Sequence, residues 1–296
     1  MKYRRSVGIL VIFIVGLSLL AGIIGILSTG GSGTNTFLSL HGETIHLYGK
    51  GIYKNDSVAS AAQGIAQDWI TVFLGVPLLA LSCFFSRKNS LKARIVLAGT
   101  LAYFLYTYMS YSFLLMYNPL FLVYVALMSM SFFALVLVML SFDLSTLKNA
   151  FSDDLPVKTI GFLILAFACA ITLMWLGRIV PPLFTGSVPV GLEDYTTLVI
   201  QAMDLGFIVP ISILSAVLLM KRRPIGLLLS SVMCMKGATM LTAITAMVIS
   251  QAIAGVQMSI AEMVVFPVAN ILVLVGVFVF MKKIREPAKF PQTAGL

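Results

Sequence analysis

The chain has 296 residues, of which 59% are hydrophobic and 10% charged, with a mean hydropathy of +1.03 and a formal net charge of +9. Soluble domains are about half apolar and about a quarter charged, so this composition excludes a water-soluble globular protein. It predicts an all-α, polytopic transmembrane bundle forming a single domain over residues 1–296, and the positive balance raises nucleic acid only to be reassigned to membrane topology below.

Eight apolar segments follow in chain order, at about 7–28, 69–85, 95–116, 119–141, 159–177, 198–220, 225–250 and 260–281. Each is near the roughly 20 residues that cross a hydrocarbon layer about 30 Å thick as a helix. The first, introduced by MKYRRS, is longer than a signal-peptide core and is followed by no A-x-A site, which predicts an uncleaved span. Residues 29–67 form the largest outer segment. STGGSGTNT reads as a flexible linker, and LSLHGETIHLYGKGIY alternates like a small hairpin turning at His41-Gly42. Only Tyr117-Asn118-Pro119 separates the third and fourth segments. Proline disfavours helix at the residue before it, so a tight turn is expected there; one broken helix is the alternative.

Basic residues choose between these topologies. With the N-terminus inside and eight spans, the cytoplasmic face collects Lys2, Arg4 and Arg5, then Arg87, Lys88, Lys92 and Arg94, then Lys148 and Lys158. Lys221, Arg222 and Arg223 follow, and Lys282, Lys283, Arg285 and Lys289 complete the set. That is most of the 20 basic residues in the chain, as the positive-inside bias requires. A seven-span chain would separate the SRKNSLKAR and KRRP turns onto opposite faces. The expectation is a bacterial-type plasma membrane protein with both termini cytoplasmic. The outer loop GRIVPPLFTGSVPVGLEDYTT is expected to be ordered against the bundle.

The two halves share a layout. In the second span of the first half, Gln67-Asp68, Pro77 and Arg87-Lys88 occur in order; in the second half, Gln201 and Asp204, Pro210 and Lys221-Arg222-Arg223 do. A parallel repeat of four plus four spans is expected from this, an arrangement found among transporters; coincidence is the competing reading.

Charges inside apolar runs are the main candidates for a site. Counting from the KRRP turn, Asp204 lies about 25 Å and Lys236 about 20 Å into the membrane. A charge at that depth costs at least about 2.5–3.5 kcal/mol unless it faces protein or water. An ion pair between Asp204 and Lys236 across the sixth and seventh spans is therefore expected. Gln201 shares the helical face of Asp204. Asp68 and Glu262 are placed by the same rise at the outer interface, where solvated carboxylates are cheap. Gln67, Gln251 and Asn270 add amides, and Tyr103, Tyr106, Tyr108, Tyr111, Tyr117 and Tyr124 add phenols. Converging, these would line an outward-opening pocket for a cationic or polyhydroxylated solute. The competing readings are an interfacial belt for Tyr111 and Tyr117 and helix glue for Asp204 and Lys236, with small residues in GATMLTAITA allowing tight packing.

Much chemistry has no motif. Cys83, Cys169 and Cys234 sit in apolar runs without ligand spacing and read as small hydrophobes. His41 and His46 both fall in the outer loop, so no span holds a histidine for haem or metal. HExxH and Walker A patterns do not occur, and Asp153-Asp154 is a lone acidic pair in a charged loop. No cofactor, metal or nucleic-acid partner is expected, and an enzyme is disfavoured.

The stretches YTTLVIQAMDLGFIVPISILSAVLLMKRRPIGLLL, NDSVASAAQGIAQD and YNPLFLVYVAL resemble a family of bacterial polytopic membrane proteins of about eight spans and unknown activity. That resemblance implies the fold and carries no functional residue. Recognition or transport of a small solute is the function expected, with Asp204, Lys236, Gln201, Asp68, Glu262 and Tyr106 as binding residues. A non-transporting sensor or assembly subunit with partner subunits is the alternative.

Overall fold

A computed structural model describes residues 2–286. The protein is 74% helical, and among the described residues seven helices are long and apolar enough to cross a membrane. In order the elements are α1 (Arg4–Leu27), β1 (Asn35–Leu38), β2 (Thr44–Leu47), a 3-10 turn at Gly51–Tyr53, α2 (Val58–Ile70), α3 (Val76–Arg87), α4 (Leu91–Phe113) and α5 (Phe121–Met139). They continue with α6 (Leu144–Ala150), α7 (Val157–Thr185), α8 (Val199–Met203), α9 (Val209–Met220), α10 (Pro224–Ile253) and α11 (Ile260–Lys283). α2 runs into α3 through a π-helical turn at Thr71–Gly75, and α8 into α9 through another at Asp204–Ile208. Each pair forms one continuous rod.

Local chemistry fixes the helix ends. Ser57, Ser90 and Ser259 cap α2, α4 and α11, each accepting a backbone N–H of the first turn on its side chain, which satisfies donors the helix leaves unpaired. α4 and α5 are separate helices that pack along each other, with the turn at Asn118 closed by its side chain accepting from the Leu120 N–H at 2.9 Å. The second segment is longer than expected, 30 residues from Val58. Its first turns, VASAAQGIAQ, are small and polar enough to fall below a hydropathy threshold, yet they pack closely against α10. α4 is not among the seven helices, because lysine, arginine and four tyrosines dilute its hydropathy.

The hairpin forms where alternation indicated, pairing Asn35 with Leu47 and Leu38 with Thr44 around His41-Gly42. The preceding linker is tied down. Gly51 N–H donates to Gly30 O at 2.7 Å and Gly33 N–H to Gly49 O at 3.1 Å, so these glycines bring two strands of backbone together.

α4 and α10 form the centre. α4 packs on α3, α5 and α10; α10 packs on α2, α4, α9 and α11. They approach closely at Gly99, where an added Cβ would lie 2.4 Å from the Met235 Cβ. α1 covers α2, α3 and α5, whereas α7 rests chiefly on α9. The basic turns gather at one end. There Lys283 pairs with Asp154, Phe151 packs edge-on to Phe280, and Glu286 accepts from the Leu91 N–H at 2.7 Å. Lys289 and the rest of the tail lie outside the described residues.

Two segments of the chain agree in detail. Both π turns span five residues, both following helices span 12, and both begin Val-Pro. The offset is 133 residues (204 − 71), and it holds onward. Ser82 and Ser215 each donate to the carbonyl three residues back. Asn89 and Arg222 each take a left-handed conformation, at φ 63° and φ 51°. α4 begins at 91 and α10 at 224. Proline explains the bulges. Pro77 and Pro210 have no N–H and crowd the carbonyl four residues back, and a widened turn immediately before relieves this. The bonds there run five residues back, from Val76 N–H to Thr71 O and from Val209 N–H to Asp204 O.

Candidate functional site

The second π turn aims Asp204 sideways from its rod. Oδ1 accepts from the Tyr106 hydroxyl of α4 at 2.8 Å, and Oδ2 accepts from the Trp175 indole N–H of α7 at 2.9 Å. Lys236, on α10 and 6% exposed, places its Nζ 4.1 Å from the centroid of the same Tyr106 ring. Three helices thus meet the bulge on one carboxylate and one phenol. The expected ion pair is not formed directly. Within 4.0 Å the described residues make one ion pair, Lys283–Asp154. Tyr106 stands between the two, giving its O–H to the acid and its ring face to the cation. Such a desolvated cation–π contact is worth about 2 kcal/mol. Gln201, 6% exposed and one turn before Asp204, has no hydrogen-bond partner among the described residues.

Asp68 belongs elsewhere. It is 3% exposed instead of solvated at the interface, because α2 continues ten residues beyond it and the loop folds back over that end. Its Oδ2 accepts from the Tyr53 hydroxyl at 2.6 Å and its Oδ1 from the Tyr111 hydroxyl at 3.0 Å. α1 passes so near that a Cβ on Gly25 would fall 1.8 Å from Oδ2. Next to it Gln67 donates to Tyr103 Oη at 2.6 Å and to Thr107 Oγ1 at 3.0 Å. Thr71 and Tyr103 hydroxyls lie 2.9 Å apart. At the 133-residue offset Thr71 corresponds to Asp204, and Tyr103 to Lys236. The first half therefore holds a neutral pair where the second holds two charges.

Other expected residues have local duties. Glu262 is exposed and completes the capping box of α11, accepting from Ser259 N–H at 2.9 Å, so it does not join Asp204. Gln251 accepts from Gln63, and Asn270 from Thr242. Tyr111 and Tyr124 are buried, while Tyr117 is 79% exposed, so only Tyr117 has the exposure of a belt residue. A surface cleft of about 240 Å³ at the hairpin, bordered by Ser32, Asn35 and Lys54, is separate from Asp204. Among the described residues no three His, Cys, Asp or Glu side chains are grouped to hold a metal.

Outside the spans, Asp56 joins three loops. Its Oδ1 accepts from Met116 N–H at 2.9 Å and lies 3.5 Å from the Tyr195 hydroxyl, while its Oδ2 is buried without a partner. Burial pushes the carboxyl up to about 7, Glu193 adding to it against the lowering by Met116 and Tyr195. A raised acid holds its proton more tightly when folded, so its stabilisation is complete below the ordinary carboxylate range and lost as pH rises through about 7. The thermal unfolding midpoint is expected to fall between about pH 4 and pH 7, and Asp56→Asn to remove that part of the dependence.

No protein-family model, curated protein or solved structure matches the chain. The resemblance noted from the sequence gains no support, and function rests on the geometry.

Proposed function

We propose that the protein recognises and carries a small solute across a bacterial-type plasma membrane, at a site centred on Asp204, Tyr106, Trp175 and Lys236. Its bundle has eight crossings, arranged as two parallel four-helix repeats with both termini cytoplasmic. α4, about 35 Å long at 23 residues, supplies the eighth crossing, and the clustering of basic turns at one end supports the orientation. The shared offset of bulge, Val-Pro and left-handed turn supports the duplication.

One observation carries the functional reading. A nearly buried ammonium lies over a phenol ring whose hydroxyl is bonded to a carboxylate, with no hydrogen-bond acceptor of its own among the described residues. Ionisable groups at such depth are costly and mark solute or ion paths when they are not simply paired. Broken or widened helices at the same level in both repeats are where transporters place binding groups. The alternative, a scaffold for partner subunits, draws on the thin packing of α11, of whose apolar span 6% is buried.

Uptake by proteoliposomes, offered labelled small organic acids, amines and sugars, tests the reading. Saturable flux of one class is expected, with Asp204→Asn lowering it at least about tenfold, equivalent to 1.4 kcal/mol, while the protein stays monodisperse. Loss of folded protein in step with flux would favour the scaffold.

A further inference from the structure

We infer that the solute is recognised through a carboxylate, and that Lys236 is the group that binds it. The inference rests on the site proposed above and narrows its ligand. It also replaces the cationic or polyhydroxylated solute expected from the sequence.

Donor and acceptor supply decides the class. Asp204, the acid that would greet a cation, has each oxygen engaged, Oδ1 by the Tyr106 hydroxyl and Oδ2 by the Trp175 N–H. Both donors are neutral and fixed on other helices, so an incoming ammonium would reach only the remaining lone pair of each oxygen, and would do so with the Lys236 ammonium one phenol ring away, which repels a like charge. Lys236 is in the opposite position. An ammonium has three N–H donors, yet this one lies over the face of an aromatic ring and makes no hydrogen bond among the described residues. Gln201, equally buried, also leaves its amide unpaired. Neither group has a hydrogen-bond partner among the described residues, and a carboxylate is the acceptor whose charge-assisted bonds to an ammonium are strongest.

The comparison between repeats points the same way. In the first half Tyr103 stands where Lys236 stands in the second, and it is saturated by Gln67 and Thr71. That half closes on itself. The second half exchanges the phenol for an ammonium and the Thr71 hydroxyl for a carboxylate already spoken for, which leaves an open donor. A free carboxylic acid and the carboxylate of an amino acid present the same chemistry to it.

Trp175 is a built-in reporter, since the chain has two tryptophans and the other, Trp69, stacks on Phe73 away from the site. In detergent-purified Trp69→Phe protein, Trp175 emission is titrated with acetate, glycine, ethylammonium and glycerol. A saturable change with acetate, glycine or both is expected, weakened at least tenfold by Lys236→Met and retained in Lys236→Arg. Response to glycine alone identifies an amino acid as the source of the carboxylate; response to acetate identifies a simple acid. Saturable binding of ethylammonium or glycerol without either carboxylate overturns the inference but leaves the site standing. Carboxylate binding undisturbed by Lys236→Met also overturns it. Silence to all four probes removes both the inference and the proposed site.

Discussion

Deletion of Gly206 is expected to abolish the response of Trp175 to any ligand while leaving the bundle assembled. A π turn is an α-helix carrying one extra residue. Removing one residue between Asp204 and Ile208 lets the rod rewind, turning the segment before it by about 100° and shortening it by about 1.5 Å. Asp204 then leaves Tyr106 and Trp175 together. Gly206 is the residue to remove, because a Cβ there would meet nothing within 4 Å and no packing is sacrificed. The loop ahead of α8 absorbs the small shortening. Trp175 emission should shift as its N–H loses its acceptor, and uptake should fall to that of empty liposomes. Unchanged emission and uptake would mean that the bulge does not aim the carboxylate.

The largest stability loss is expected at Asp68. Replacement by leucine strands the Tyr53 hydroxyl, at about 1–3 kcal/mol, and forces a branched side chain against α1 where Gly25 leaves no room, at a further 1–3 kcal/mol or so. Thermal unfolding followed by Trp69 emission should show a midpoint well below that of the parent. Asp68→Asn keeps the shape, accepts from Tyr53 and donates to Tyr111, so most of the stability should return. Equal midpoints for the leucine variant and the parent would show that the buried carboxyl does not hold the loop to the bundle.

Helix positions were largely legible because lipid imposes one rule, continuous apolar helix, and hydropathy reads it directly. The miss at Val58–Gln67 has the same origin. Ser60, Gln63, Gly64 and Gln67 lower the hydropathy of this stretch, although small residues there serve close helix packing. Helical rise suggests similar heights for Asp204 and Lys236, but their meeting through Tyr106 does not follow from it, since an extra residue in a π turn changes azimuth without leaving a mark in composition. The Val-Pro pairs were a visible trace of it. Trp175 was legible as a residue and silent as a partner; only packing of α7 on α9 brings its N–H to the acid. Asp68 was placed by height alone, and no counting of turns reveals that a distant loop returns to cover it.

Gly99 carries no functional group, yet it governs the reach of the site. It sits on α4 two turns before Tyr106, opposite Met235, the residue immediately before Lys236. The absence of a side chain there sets the gap between two rods, and that gap in turn sets how far the ammonium hovers above the phenol. Volume at position 99 is thus a calliper setting: each carbon added would prise the central rods apart and slacken the grip between cation and ring without touching either.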